Sequence, residues 1–261
     1  MPNKNQRLVE ICCESLSLSD IEKIIHQDQR AQKLVICHLH HLSEELSGKM
    51  FNYIKDLGGL RSLGVEQTTL DDSMAEKIVA AVPQIESLTL GICRFVGNPV
   101  RLLLSRLQQV TYFELFQSTL DEDPEVVQKI TQEFRASRNI NSIRICNNFI
   151  EDQDLESLIL ACSEMSLKSF DLFHQRVLTE SLATSMKSFR TLEYLALNNF
   201  CLYGSPQSLS DETVISIMEV IQSNPGLVLV DLREVIESKI KNPRLKTDLL
   251  QLLNQRKIEI Q

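Results

Sequence analysis

The chain has 261 residues, 43% hydrophobic and 24% charged, with a net charge of −8. That apolar content excludes a disordered chain and predicts a folded core. Net acidity argues against a nucleic-acid binder, no apolar run approaches the roughly 18–20 residues of a membrane span, and the opening MPNKNQRLVE lacks the apolar region of a Sec-type signal peptide.

In chain order, Val9, Ile11 and Leu16 outline a first strand and turn, and Ile21, Ile24 and Ile25 the helix after it. Residues 1–31 read as an N-terminal capping repeat. The next run, Leu34-Val35-Ile36-Cys37, fits a second strand with either Val35 and Cys37 or Leu34 and Ile36 turned inward. From Leu60 the pattern is strict. LRSLGVEQTTL places Leu60, Leu63, Val65 and Leu70 at p, p+3, p+5 and p+10. IESLTLGICRF repeats it with Ile85, Leu88, Leu90 and Phe95, and VTYFELFQSTL with Val110, Phe113, Leu115 and Leu120. INSIRICNNFI, LKSFDLFHQRV and LEYLALNNFCL continue it through Ile143 and Ile145, Phe170 and Leu172, and Leu195 and Leu197. A weaker copy holds Leu227, Val230 and Leu232.

Between the copies, apolar residues fall at helical spacing, as in Val126, Val127, Ile130 and Phe134, or Leu155, Leu158, Ile159 and Cys162. Residues 203–210, YGSPQSLS, read as a loop inserted in the last interval. Residues 233–261 carry Leu245, Leu249, Leu252 and Leu253 at helical spacing and read as a C-terminal cap helix.

Each copy puts two side chains on one face of a short strand and follows it with a helix. One such unit cannot bury its own core, but a stack of them can, so the repeat predicts a solenoid. The expectation is a single repeat domain over residues 1–261, with about eight to nine units.

The L-x-x-L-x-L core resembles the leucine-rich repeat family, in its longer ribonuclease-inhibitor-like subtype, over residues 9–232. The resemblance implies an α/β solenoid (horseshoe), with parallel strands on the concave side and helices on the convex side. The family's Asn or Cys at p+8 appears only as Cys93 and Asn148; Thr68, Ser118, Gln175 and Phe200 stand elsewhere, which puts the regularity of the turns in question. Degenerate repeats on an acidic chain also look like the small repeat effectors of intracellular bacterial pathogens. That likeness implies delivery into a host cell by a non-Sec route.

Acidic residues gather where the helices should begin: Glu44 and Glu45, Asp71 and Asp72, Asp121 to Asp123, Glu151 and Asp152, Asp211 and Glu212. Basic residues such as Arg106, Arg135 and Lys187 gather where they end. Both placements suit the helix dipole, and Ser43, Ser73 and Ser210 are candidate caps.

Chemistry is sparse. Cys37-His38-Leu39-His40-His41, read as strand, puts His38 and His40 on one face, but no second cluster follows at zinc-finger spacing. The reading is surface histidines, with no metal and no cofactor. Cys12, Cys146 and His38 lie toward the inner surface in non-adjacent repeats, so no nucleophile–base pair is expected. Cys37, Cys93 and Cys162 read as buried apolar residues. Seven scattered cysteines fit a reducing, cytoplasmic compartment rather than a disulfide framework. Phosphate-loop, nucleophile-elbow, zincin and EF-hand motifs are all missing, so the expectation is no enzyme.

What remains is the inner face, where p+2, p+4 and p+6 alternate with the buried set. The candidate partner-binding residues there are Tyr112, Glu114, Phe116, Arg144, Asp171, Phe173, Tyr194 and Asn198. Exposed aromatic anchors among charges are the makings of a protein-binding hot spot. The expected function is a scaffold whose concave face engages another folded protein. Likeness to the inhibitor-type relatives implies that this partner is an enzyme, inhibited by covering its active site, or a fellow effector. The scaffold itself is expected to be a monomer before binding, with no nucleic-acid or membrane partner. The alternatives are a thiol-dependent enzyme and an adaptor that uses its convex helices.

Overall fold

A computed structural model of the chain describes residues 8–14, 17–27, 30–118, 124–146, 150–173, 178–198 and 208–261. The expected positions Leu16, Leu120, Asp121 to Asp123, Asn148, His174, Gln175, Val177, Phe200, Leu202 and most of the 203–210 loop lie outside the described residues. So do the side chains of Ile25, His26 and Asn198. The fold is an α/β repeat stack: parallel strands, each followed by a helix or turn that leads to the next. The chain divides into two compact units, residues 1–133 and 134–261.

The first unit runs β1 (Leu8–Cys12), α1 (Leu18–Gln27), β2 (Lys33–Cys37), α2 (Glu44–Lys55), β3 (Ser62–Glu66), β4 (Thr69–Leu70), α3 (Asp72–Ala81), β5 (Ser87–Gly91), β6 (Arg94–Phe95), α4 (Pro99–Arg106), β7 (Tyr112–Phe116) and α5 (Pro124–Ala136), the division falling within α5. Strands β1, β2, β3, β5 and β7 pair in parallel in that order, in strict register: Ile11, Ile36, Val65, Leu90 and Leu115 form one rung line. Each is at most 0% exposed. The second strand is thereby settled: Leu34 and Ile36 are the fully buried pair, and Val35 is half-buried on the other face. The reading with Val35 inward is corrected, because pairing with Val9 and Ile11 leaves only one register that buries both rows.

The turn after each strand repeats as well. His38, Gln67, Ile92 and Gln117 all adopt positive φ, between 47° and 60°. The amide of each turn reaches the next strand's last carbonyl: His38 to Glu66, Gln67 to Gly91, Ile92 to Phe116, at 2.8–3.2 Å. The p+8 residues follow directly. Thr68, Cys93 and Ser118 are all buried, and their side chains take up turn hydrogen bonds. Thr68 Oγ1 accepts from the His40 amide at 3.1 Å, and Ser118 Oγ from the Cys93 amide at 3.3 Å. The Cys93 thiol donates to the Val65 and Gly91 carbonyls at 3.3 Å. The hydroxyls of Thr68 and Ser118 thus take up turn amides where Asn or Cys was expected, and the turns after β2, β3 and β5 share one form despite that mismatch.

The second unit runs β8 (Ser142–Cys146), α6 (Asp152–Ser163), β9 (Ser169–Phe173), α7 (Glu180–Ser185), β10 (Tyr194–Asn198), α8 (Asp211–Ser223), β11 (Leu229–Asp231), α9 (Pro243–Gln255) and β12 (Glu259–Ile260). These strands also pair in parallel, in chain order. Its core rows hold Ile143, Phe170, Leu195 and Val230, each fully buried. Phe170 and Phe189 rings pack 5.0 Å apart at 38°.

Helix starts are capped by side chains. Ser43, Asp71, Asn98, Thr179, Ser210 and Asn242 accept from first-turn amides. Ser73 is not a cap: Asp71 takes that place, and the helix has already begun at Asp72. Caps of this kind stabilise a helix by about 1 kcal/mol each. No helix among the described residues is long and apolar enough to cross a membrane.

Candidate functional site

The helices cover one face of each sheet and leave the other open. Side chains on the open face are those that alternate with the buried rows.

In the first unit, β7 brings Tyr112, Glu114 and Phe116 onto this face together, all half-buried. The Tyr112 phenol donates to Glu114 Oε2 at 3.0 Å, and the Thr89 hydroxyl donates to the same oxygen at 3.4 Å. Phe116 lies across Gly91 of the neighbouring strand; a Cβ at that glycine would sit 2.1 Å from the ring. A side chain at Gly91 would push Phe116 off the sheet, so the glycine makes the slot for the ring. Farther along, Glu66 has its carboxyl pushed up by burial, with Glu10 and Glu114 adding to the rise and Lys33 opposing it. The face of this unit is therefore acidic, with aromatic groups at its β7 end.

In the second unit, Arg144, Asp171 and Tyr194 come together on β8, β9 and β10. Arg144 Nε lies 3.1 Å from Asp171 Oδ2. Ala196, the rung partner of Asp171, is small and fully buried. Burial pushes the Tyr194 phenol up to about 12, with Asp171 and Asp231 raising it further and Arg144 opposing them. Phe173 is half-buried on the third row, where its rung partners are Cys146 and Asn198.

The aromatic residues are thus half-buried, not fully exposed as alternation alone implies. Neighbouring open-face groups shield their flanks. Asp231 and Glu10, which extend the charged rows, sit at p+4 of the weakest copies; extending the same register would have found both.

The histidine run differs from its reading as strand. Strand β2 ends at Cys37, and Leu39–His41 form a 3₁₀ turn. His38, His40 and His41 are gathered by that turn, with ring centroids 4.2–6.1 Å apart. The expectation that Cys12 and His38 lie in non-adjacent repeats is also corrected. Strands β1 and β2 are direct neighbours, and Cys12, Glu14 and His38 offer ligand atoms within 4.8 Å of one another.

Cys37, Cys93 and Cys162 are buried as expected. Burial pushes the Cys37 thiol up to about 11 and the Cys93 thiol up to about 12, and raises Cys162 as well. Thiols held in the protonated form are poor nucleophiles.

No family model matches this sequence. No curated protein sequence matches it either. Among solved structures, the chain is similar to one from the complex of Rad7 and Elc1 in yeast, at 12% identity and a TM-score of 0.47, covering 87% of this chain and 75% of that one. It is also similar to a leucine-rich-repeat protein of Leptospira interrogans, at 13% identity and a TM-score of 0.21, covering 91% of each chain. Likenesses this distant do not bear on function, and the repeat stack rests on the register of the chain's own strands.

Proposed function

We propose that this protein is a non-enzymatic scaffold that binds another folded protein through the open sheet faces of its units. The observation that carries the proposal is the held set of aromatic and charged side chains on the open face of each unit. Tyr112 is bonded to Glu114, Phe116 is seated on Gly91, and Arg144 is paired with Asp171 beside Tyr194. Groups already fixed lose little freedom on binding, which favours affinity. Aromatic side chains beside charges are the usual anchors of protein interfaces. The raised thiols of Cys37 and Cys93 favour this reading over a thiol-dependent enzyme.

The finer reading is that the partner is an enzyme whose active site the scaffold covers, in a reducing compartment of a host cell. It rests on the resemblance to inhibitor-type repeat proteins. The test is capture with immobilised wild type, Tyr112→Ala/Phe116→Ala, and Phe173→Ala/Tyr194→Ala, with partners identified by mass spectrometry. Loss of one good anchor is expected to weaken binding by about 2 kcal/mol, roughly 30-fold. Equal capture by all three proteins would remove the open faces as the site. Assaying a captured enzyme with and without saturating scaffold decides between inhibition and simple recruitment.

A further inference from the structure

We propose that the turn after β2 is a binding site for a divalent transition metal of the zinc class. His38, His40 and His41 supply the imidazoles, and Cys12 and Glu14 flank His38 as outer partners.

The repeat itself builds this site. The turns after β3, β5 and β7 place their p+7 residues, Gln67, Ile92 and Gln117, at positive φ too, so the backbone at His38, with φ 60°, is a shared turn and not a local accident. The 3₁₀ turn of Leu39–His41 then folds His40 and His41 back beside His38, while Leu39 is buried beneath and anchors the turn. One ring nitrogen from each of the three histidines lies within 4.8 Å of the others. A tetrahedral zinc with bonds of about 2.0–2.1 Å brings its nitrogens to roughly 3.3 Å. His40 and His41 are exposed, so small ring rotations close that gap without moving the backbone.

Supporting groups are already in place. His40 Nδ1 is 3.4 Å from the Thr68 hydroxyl, a contact that leaves Nε2 for the ion. Such outer partners are what orient ligating histidines. On the other side, Glu14 Oε2 lies 3.7 Å from His38 Nε2, and Cys12, Glu14 and His38 form a second group that shares only His38 with the first. Three imidazoles suit zinc, and also nickel or copper, rather than magnesium or calcium, which prefer all-oxygen sites. An ion here would brace the turn that follows β2.

The experiment is calorimetric titration of the full, untagged chain with zinc chloride after treatment with chelator. One equivalent is expected to bind. In His38→Asn/His40→Ala/His41→Ala, affinity is expected to fall by about a hundredfold or more, and in Cys12→Ser/Glu14→Gln by about tenfold. Asn is chosen at position 38 because it tolerates positive φ. Melting in chelator must match wild type, which shows that the variants fold. Zinc at a hundredfold excess over its Kd should raise the wild-type melting temperature by about 5 °C and leave the triple variant unmoved. No binding by wild type, or equal binding by the triple variant, overturns the proposal.

Discussion

The first unit carries a ladder of side-chain bonds at its strand ends, and the second a buried asparagine hub beside a strand start. Both units share one device: a carbonyl just before each strand accepts two amides from the next repeat. Arg61 O receives Glu86 and Ser87 in the first unit, and Lys168 O receives Glu193 and Tyr194 in the second. Both also place an ion pair across that position, Arg61 with Glu86 and Lys168 with Glu193. The first unit adds a hydroxyl and thiol ladder of Thr68, Cys93 and Ser118 at its strand ends. The second buries Asn224, which is 0% exposed. Its Oδ1 accepts from the Leu192 amide at 3.1 Å, and its Nδ2 donates to the Val220 carbonyl at 2.8 Å. Arg256 then closes the end by donating to the Asn224 carbonyl at 2.7 Å. The ladder spreads its bonds over three residues, whereas the hub gathers several on one.

The hub is the more fragile of the two. Asn224→Ala strips the Leu192 amide of its buried acceptor and opens a small void. A buried donor left unmet costs about 1–3 kcal/mol, and this variant is expected near the upper end. Denaturant unfolding of Asn224→Ala and wild type, followed by circular dichroism, checks it. A loss well under 1 kcal/mol would mean that neighbouring groups take over the bonds of Asn224 and that it is no hub.

Ser118→Ala probes the ladder itself. It removes one acceptor at 3.3 Å from the Cys93 amide, while the Cys93 thiol keeps its own contacts with Val65 and Gly91. The expected loss is about 1 kcal/mol in the same unfolding measurement, smaller than at Asn224. A larger loss than Asn224→Ala would reverse the comparison.

These two positions also mark where sequence reasoning stopped. Core rows such as Leu63 and Val65, or Phe170 and Leu172, were legible because large apolar residues alternate with polar ones. The second strand was not, since Leu34, Val35, Ile36 and Cys37 are all apolar and only pairing with β1 decides the register. Thr68 and Ser118 looked like departures from the family pattern. Their equivalence to Cys93 lies in what a hydroxyl can accept, which a residue-type match does not express. On the open face, alternation placed Tyr112, Phe116, Phe173 and Tyr194 correctly by row. It was silent on their half-burial, because that depends on neighbours such as Gly91. The histidines are at the surface after a strand, as read, but the run turns instead of extending, because nothing local to His38 signals its positive φ.

The smallest effect expected is also the most specific to the open face of the second unit. Tyr194 is held to about 12 by burial first and by Asp171 and Asp231 next, with Arg144 opposing. An unfolded tyrosine ionises near 10. Between those values the folded chain keeps a proton that the unfolded chain has lost, so stability contributed by this group is intact below pH ~10 and falls as pH rises toward 12. Phenolate absorbance followed from neutral to alkaline pH should show a late ionisation that is lost in Tyr194→Phe. Asp171→Asn removes a neighbouring negative charge and frees Arg144 to act on the phenol alone, so the late step should move to lower pH without vanishing, since burial remains. A late step that stays in place in Asp171→Asn would mean that the carboxylate does not face Tyr194. The second unit's open face would then be a set of separate side chains and not the coupled group that the scaffold proposal needs there.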